Sequence, residues 1–519
     1  MQHRDLSDAS PPEPGATAVQ TATRVVDEDT ARLHEMGYYK RLSRRMTPFD
    51  NFAISFTIIS ILTGCMTLFG FGMATGGPAV MLIGWAAVGG LTLFVALSMA
   101  ELTSAFPTSG ALYFFASRLA RKHKAAASWY TGWLNVIGQI GGTAGIDFGL
   151  AVFLQALISL QWSSFQATHH TTIAIYALVL AAHGILNSFA VKIVAVLNRI
   201  SVYWHLAWVL ILVGVLAFEP AHHQPVHNVL ASTVNNTGFN HLWYVFAIGL
   251  LLPGYTFCGF DASAHVSEET GQAATSAPRG MVRSVLYSWI AGFVLLAGFV
   301  FAIQHYSAEA SAAVPPLQIM IDSVGIGFAK IGFAAIIVAQ FLCGMSSVTA
   351  NSRLIFALSR DRVLPGSRVW FKVNKAKTPV AAVWLAVGGA LVLGLPYLWN
   401  PAAFTAITSV NVIGLFSAYG IPIYLRWRAG EGEFEPGPWS LKRPKLIAGI
   451  AIAWIVIEMI LFVLPQISPI TLDNFNYAGV AVGVVLIAAS VWWIKARHEY
   501  RGPVSYGTTQ ELAEMDEVV

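Results

Sequence analysis

Charged residues are scarce in this 519-residue chain. They make up 11% of the sequence, against about 25% in an average soluble protein, while 55% of the residues are hydrophobic. A soluble chain of this length would need charged surfaces around several domains, so the composition excludes a soluble globular enzyme. Four long stretches have no Asp, Glu, Lys or Arg at all: residues 51–100, 148–191, 220–260 and 378–425.

Several motif classes are also missing. No Walker P-loop supports ATP-driven transport, and no G-x-S-x-G or H-E-x-x-H motif supports an intramembrane enzyme. The three cysteines, Cys65, Cys258 and Cys343, fall within apolar runs and indicate packing rather than disulfides. Histidines in the loops have no cysteine or carboxylate at ligand spacing, so we predict no metal site and no cofactor.

The long apolar runs predict membrane-spanning helices, each of which needs about 20 residues. The runs lack the alternating pattern of a membrane β-barrel, so the predicted fold is an all-α polytopic membrane protein. Breaks at glycine, proline and polar clusters predict about twelve spans, numbered here in chain order. They cover residues 48–72, 78–104, 128–160, 171–191, 200–218, 242–266, 284–305, 328–352, 379–398, 402–425, 446–464 and 475–494.

The basic residues predict the orientation of these spans. Of the 31 lysines and arginines, 30 lie in the two tails or in loops that follow even-numbered spans, and Lys330 alone lies on the opposite side. Basic loops stay in the cytoplasm, so we predict that both termini are cytoplasmic. The net charge of +4 then reflects topology and not nucleic-acid binding. Without a targeting signal, the cell membrane is the predicted location.

The regions outside the spans are predicted to be tails and loops. Residues 1–46 form a cytoplasmic tail whose first part is rich in Pro, Ala, Thr and acids, a composition typical of disorder. Its second part, from Asp27 to Arg45, forms either a helix on the membrane surface or a plain tether. Residues 219–241 form an outer loop, 426–494 an inner loop with spans 11 and 12, and 495–519 a second cytoplasmic tail.

Spans 1 and 6 violate the rules of helix formation. Thr63-Gly64-Cys65-Met66 interrupts span 1, and Pro253-Gly254 followed by Gly259 interrupts span 6. Residues 47–218 and 242–425 form two five-span blocks of similar length, and an odd number of spans inverts the second block. The pattern predicts a 5+5 inverted repeat with broken helices 1 and 6, as in secondary transporters, plus two extra helices. The alternative is that these residues only kink packed helices.

Four segments carry a family resemblance. They read MGYYKRLSRRMTPFDNFAISFTIISILTGCMTLFG through span 1, ALSMAELTSAFPTSGALYFFASRLA after span 2, PGYTFCGFDASAHVSEETGQAATSAPRGM from span 6 and SSVTANSRLIFALSRDRVLPG from span 8. Together they resemble signatures of the amino acid-polyamine-organocation permease superfamily. The first is similar to its amino acid/choline transporter branch, which includes γ-aminobutyrate and choline permeases.

The resemblance implies where a substrate binds. An amino acid carboxylate would lie against the backbone of Thr63, Gly64 and Cys65, where a helix amino terminus favours anions, and the amino group would lie near the span 6 break. Tyr255 would stack over the ammonium, or is an ordinary packed aromatic. The other candidate contacts are Asn135, Gln139, Phe257, Gly259, Asp261 and Asn411.

Asp261 is predicted to lie deep in the membrane, where an unpaired acid costs about 3 kcal/mol. Its partner is the substrate amine, a proton or a polar group on span 1 or span 8, unless Asp261 caps the lower half of span 6.

The resemblance also implies a coupling site. His205 aligns with a lysine that replaces the sodium ion in proton-coupled relatives, and histidine titrates near neutral pH. Ser346 and Ser347 match hydroxyls that line the sodium site in other members. Alternatively, His205 is a neutral buried histidine bonded to a carbonyl.

Three acids are predicted to form ion pairs near the inner face. Glu101, Glu268 and Glu269 can pair there with Arg279, Arg353 or Arg360, either as gate pairs that break during transport or as static anchors.

The sequence therefore predicts a secondary active transporter, and not an enzyme, for an amino acid or related amine. Proton-coupled symport or exchange by alternating access is the expected mechanism, with the lipid bilayer as the surroundings. The alternative among transporters is a choline/ethanolamine or polyamine permease. The alternative outside the transporters is a transporter-like sensor that binds its ligand without translocation.

Overall fold

The computed structural model describes residues 28–189, 191–430 and 432–518. Eleven helices in these ranges are long and apolar enough to cross a membrane, and span 6 adds a shorter, broken apolar helix. The all-α polytopic fold is therefore confirmed. The predicted disorder falls mainly on residues 1–27, which lie outside the described ranges.

The helix bounds follow the predicted spans closely. Spans 1 to 5 comprise Pro48–Ile59 with Ile61–Thr67 and Phe69–Ala74, then Gly77–Ala105, Lys124–Gln161, His169–Phe189 and Val191–Phe218. Span 6 comprises Leu242–Gly249, Leu251–Thr256 and Ala262–His265. Spans 7 to 12 are Ala273–Phe301, Ile326–Arg360, Val380–Gly394, Ala403–Arg428, Pro444–Leu461 and Ala478–Ala496. Short helices in the connections include Leu112–Leu119, Val226–Ala231 and Pro315–Val324.

The outer surface of the bundle is apolar and the polar groups lie inside. Leu210 and Ile487 are 74% and 65% exposed, which would be unfavourable in water because each Å² of exposed apolar surface costs about 25 cal/mol. In contrast, Asp147, Asp261 and Glu458 are completely buried. This inversion of the usual soluble pattern fits a protein surrounded by lipid.

The basic loops and both tails meet at one end of the bundle, here called the basic end. The Arg118 guanidinium donates to the Met36 carbonyl at 3.1 Å, and the hydroxyls of Ser128 and Tyr500 lie 2.7 Å apart. A helix over residues 28–35 packs here through the buried Leu33, so this segment is more than a plain tether. That the basic end faces the cytoplasm stays a prediction.

Spans 2 and 7 interlock through two tryptophans and two glycines. A Cβ on Gly89 would overlap the Trp289 ring, and one on Gly292 would overlap the Trp85 ring. The Trp85 indole N–H also donates to the Trp289 carbonyl at 2.9 Å. The two spans hold the same position in the two predicted five-span blocks, so this reciprocal contact supports the inverted repeat, which stays a prediction.

We predict that Gly89→Ala and Gly292→Ala lower the stability of the purified protein. Each added methyl group overpacks a filled contact, which typically costs about 1–3 kcal/mol. The thermal unfolding midpoint in detergent measures the effect. Gly388→Ala is the matched control, since a Cβ there meets open space; equal midpoints for all three variants would contradict the interlock.

Candidate functional site

The break in span 1 lies at Ser60, three residues before the predicted interruption at Thr63-Gly64-Cys65-Met66. Ser60 has a left-handed backbone with φ 43°, and helical structure ends at Ile59 and resumes at Ile61. The Ser60 carbonyl accepts the N–H groups of Thr63 and Gly64 at 2.9 and 2.7 Å. The first N–H groups of a helix have no intrahelical partner, so those of Ile61 and Leu62 remain without a backbone partner in the described chain.

The break in span 6 contains Gly259, the last of the predicted interrupting residues, but not Pro253-Gly254. Pro253 and Gly254 lie inside the short helix Leu251–Thr256, where the Gly254 N–H donates to the Leu250 carbonyl at 2.9 Å. The helix stops after Thr256 and resumes at Ala262. Between them Gly259 has φ +83°, a conformation that favours glycine.

The two breaks lie against each other. A Cβ on Gly64 would overlap the Thr256 side chain, and a Cβ on Gly259 would overlap Ile58. Five spans surround a central cavity between the breaks, with about 30 Å³ of free volume. It holds roughly two waters and admits an amino acid only after neighbouring groups move. Its polar or thiol-bearing side chains are Thr63, Thr67, Gln139, Tyr255, Thr256, Cys258, Gln340, Cys343, Ser347 and Asn411.

Four of the predicted contact residues do not line the central cavity. Cys65 is buried in the hydrophobic core, and the Phe257 ring packs on Trp85 with centroids 4.5 Å apart. The Asn135 amide lies 3.3 Å from His265, and Asp261 is likewise held by other side chains. The residues that reach the cavity are Thr63, Gly64, Gln139, Tyr255 and Gly259, together with Ser347 and Asn411.

Asp261 has three protein partners. Its carboxylate accepts from the Gln139 amide at 3.1 Å and from the Tyr419 hydroxyl at 2.8 Å. Its Oδ2 also lies 3.1 Å from Nε2 of His265. The polar partners therefore lie on spans 3, 6 and 10, and not on span 1 or span 8 as expected from the sequence. Only Gln139 connects this carboxylate to the central cavity.

Tyr255 presents an unsatisfied hydroxyl at the central cavity. The side chain is 6% exposed, and its hydroxyl has no hydrogen-bond partner among the described residues. Leaving a buried polar group unpaired costs about 1–3 kcal/mol. A polar ligand group in the cavity would recover that free energy, which supports a binding role for Tyr255.

His205 contacts the break residue of span 1. Its Nε2 lies 2.8 Å from the Ser60 hydroxyl, and its Nδ1 lies 2.7 Å from the Ser201 carbonyl. A neutral histidine with the proton on Nδ1 satisfies both contacts, as in the alternative considered from the sequence. The two predicted span 8 partners bond elsewhere: Ser346 to Asn198 at 2.5 Å and Ser347 to Thr143 at 2.8 Å.

Comparison with known proteins agrees with this architecture. The sequence profile of an amino acid permease family matches residues 47–487. The chain belongs to this family. A rice protein named amino-acid permease BAT1 homolog (Oryza sativa subsp. japonica) is 39% identical over 92% of this chain and 96% of its own length. The Arabidopsis thaliana amino-acid permease BAT1 is 36% identical over 94% and 98%.

The name of a more distant relative states a narrower specificity. The GABA-specific permease of Saccharomyces cerevisiae is 29% identical over 92% of this chain and 86% of its own length. These relatives establish that the chain is an integral multi-pass amino acid permease. They are named for transport and not for enzyme catalysis.

Buried ion pairs lie at the basic end of the permease. Arg353 makes two hydrogen bonds to the Glu269 carboxylate, at 2.7 and 3.2 Å, and Arg360 pairs with Glu268 at 3.1 Å. These basic-end ion pairs join the end of span 6 to the end of span 8. Glu101 pairs instead with Arg426 at 3.0 Å, a partner that the sequence did not suggest. Arg279 is in none of the ion pairs found within the described ranges.

Several residues that contact the predicted site residues were not themselves predicted. Ser60 contacts His205, which lies 145 positions away in the sequence. Tyr419 and His265 both contact Asp261, from 158 and 4 positions away. Ser60 is an ordinary serine in an apolar run, so its left-handed backbone has no signal in the sequence. His265 lies four residues after Asp261, a spacing that places both on one helix face and was a usable signal.

We predict that Gly64→Ala reduces uptake by this permease about tenfold, which corresponds to about 1.4 kcal/mol. The added methyl pushes Thr256 and span 6 away from the break. Thr256→Ser removes the obstructing methyl and keeps the hydroxyl bonded to Leu252, so the double variant should recover part of the activity. Initial uptake rates of the single and double variants, at matched protein abundance, measure this recovery. Additive effects of Gly64→Ala and Thr256→Ser would contradict a contact between the two residues.

Proposed function

We propose that this permease is a secondary active transporter that moves an amino acid or a related amine by alternating access, through proton symport or exchange. The observation that carries the proposal is the central cavity, which is enclosed by two helix breaks and lined by the unsatisfied Tyr255 hydroxyl. The name of the yeast relative, GABA-specific permease, further suggests a γ-amino acid among the substrates.

The breaks offer complementary groups to a zwitterion. The free N–H groups of Ile61 and Leu62 stand at the amino end of a helix, where about half a positive charge favours a carboxylate. At the other break, the Tyr255 ring and hydroxyl are available to an ammonium group. The proposed carboxylate position lies directly before Thr63, Gly64 and Cys65, the residues expected from the sequence.

Contacts between spans lie on both sides of the central cavity. The basic-end ion pairs lie on one side, where Glu269 and Arg353 also line a crevice of about 990 Å³. At the opposite end, the chain before span 6 hydrogen-bonds to the end of span 1: the Gly76 N–H donates to Val234 at 2.7 Å and the Asn236 N–H to Ala74 at 2.9 Å. Opening one set of contacts while the other persists would expose the cavity to one side at a time.

We expect amino acids to compete with one another for uptake, and choline and polyamines not to compete. A substrate without a carboxylate leaves the N–H groups of span 1 unpaired. Reconstituted protein with a labelled amino acid mixture and a panel of amino acids, γ-aminobutyrate, choline and polyamines measures this. Competition by choline alone would favour the amine alternative, and binding without accumulation would favour the sensor.

Tyr255→Phe in the same assay should raise KM about tenfold, since it removes a hydrogen bond to a charged group worth about 1.5 kcal/mol. Its thermal stability should be unchanged or higher, because the deleted hydroxyl is unsatisfied. An unchanged KM would remove this hydroxyl from the binding site.

We predict that Glu269→Gln opens the basic end. Breaking a buried ion pair costs about 3–5 kcal/mol, so thiol labelling of the cavity residue Cys343 should speed up at least about tenfold. A Cys65→Ala/Cys258→Ala background leaves Cys343 as the one native thiol. Glu433→Gln is the control, because it breaks the exposed pair with Arg121 at the same end; equal labelling rates would make the ion pairs static anchors.

A further inference from the structure

A chain of side chains connects the central cavity to the basic-end ion pairs. Gln139, which lines the cavity, donates to Asp261 at 3.1 Å, and Asp261 contacts Nε2 of His265 at 3.1 Å. Nδ1 of His265 lies 3.0 Å from the Ser109 carbonyl. The Ser109 N–H in turn donates to Glu268 at 3.0 Å, and Glu268 pairs with Arg360.

The contacts of His265 bear on the protons that the pair holds. The Ser109 carbonyl only accepts hydrogen bonds, so the contact at Nδ1 needs a hydrogen on Nδ1. Nε2 lies 3.1 Å from a carboxylate oxygen of Asp261 and 3.3 Å from the Asn135 amide nitrogen. Without a further hydrogen, Nε2 can accept from Asn135 but faces Asp261 as a second acceptor, which is unfavourable in this buried position. One further proton makes the contact with Asp261 a hydrogen bond, either on Nε2 as an imidazolium–carboxylate pair or on Asp261 as a neutral pair.

The groups around this pair supply little competing charge. Span 3 contributes the neutral amides of Asn135 and Gln139, and span 10 contributes the hydroxyl of Tyr419. Cys258 of span 6 also faces Asp261.

Three other acidic groups lie around these neighbours. Glu268, balanced by Arg360, lies across Ser109, and Glu458 of span 11 lies beside Gly254, whose carbonyl accepts from the Cys258 thiol. Glu269 follows the pair in the sequence, and Arg353 lies on span 8. Their opposite charges balance in an ion pair. The extra proton is therefore held by Asp261 and His265 themselves.

We propose that the Asp261–His265 pair carries the proton that this permease exchanges during its transport cycle; this rests on the proposed proton-coupled function. The proton lies between Oδ2 of Asp261 and Nε2 of His265 while the cavity is closed. When the cavity opens on the side of lower proton concentration, the proton passes to water as hydronium. Two facing acceptors remain, the contact breaks, and the link through Ser109 to Glu268 loosens.

The test uses liposomes loaded with pyranine, a pH-sensitive dye, and an amino acid mixture as the probe. Wild type should show proton flux on addition of the mixture, and also exchange of labelled for unlabelled amino acids. His265→Gln keeps a donor for the Ser109 carbonyl but cannot hold the extra proton, so exchange should persist and proton flux should fall to the level of empty liposomes. Asp261→Asn should lose proton flux as well.

Two further histidines serve as comparisons. His183→Gln changes a second buried Asp–His pair, with Asp147, that is not part of this chain of contacts, and proton flux should persist. His205→Gln tests the carrier suggested by the sequence, and proton flux should also persist. Proton flux that survives His265→Gln and Asp261→Asn, or that is lost only in His205→Gln, would overturn the proposal.

The assay distinguishes a failure of proton coupling from a failure of its assignment to Asp261 and His265. Exchange without proton flux in wild type would refute proton coupling itself, whereas proton flux in wild type and in both pair variants would refute only the assignment to this pair. If the variants do not exchange, thiol labelling of Cys343 between about pH 5 and pH 8 remains informative. The labelling rate of wild-type Cys343 should vary with pH by more than the ionisation of the thiol itself explains. A His265→Gln variant with the same pH profile would overturn the proposal.

Discussion

The close approach of spans 1 and 6 is the constraint on which the rest of this structure depends. Gly64 and Gly259 leave no space for a side chain because Thr256 and Ile58 fill it. This contact brings two interrupted helices together inside an apolar bundle. Irregular backbone at membrane depth is tolerated only where it is enclosed by protein or lines a cavity. The contact therefore encloses the central cavity and also allows the breaks to persist in the membrane interior.

Burial without water also explains how the charged groups are arranged. An isolated charge in the membrane interior is expensive, so acids there acquire partners. Asp261 is satisfied by three side chains from spans 3, 6 and 10, and the acids at the end of span 6 by arginines of span 8. The same polar contacts that stabilise the interior thus join the elements that separate in the proposed alternating-access cycle.

The sequence predicted the architecture because hydropathy, charge distribution and helix-breaking residues are local signals. Span number, the broken spans and the partners Arg353 and Arg360 all followed from them. The break at Ser60 did not, because a left-handed serine is fixed by tertiary contacts such as the one with His205. Two of the three partners of Asp261, and the partner of Glu101, come from segments more than 100 residues away, and no spacing rule connects these pairs.

The most direct test of the central claim is an experimental structure of the purified permease with a saturating concentration of a transported amino acid. We expect density for the substrate in the central cavity, with its carboxylate at the N–H groups of Ile61 and Leu62 and its amino group beside Tyr255. Substrate density elsewhere, with the two breaks still in contact around an empty cavity, would contradict the account.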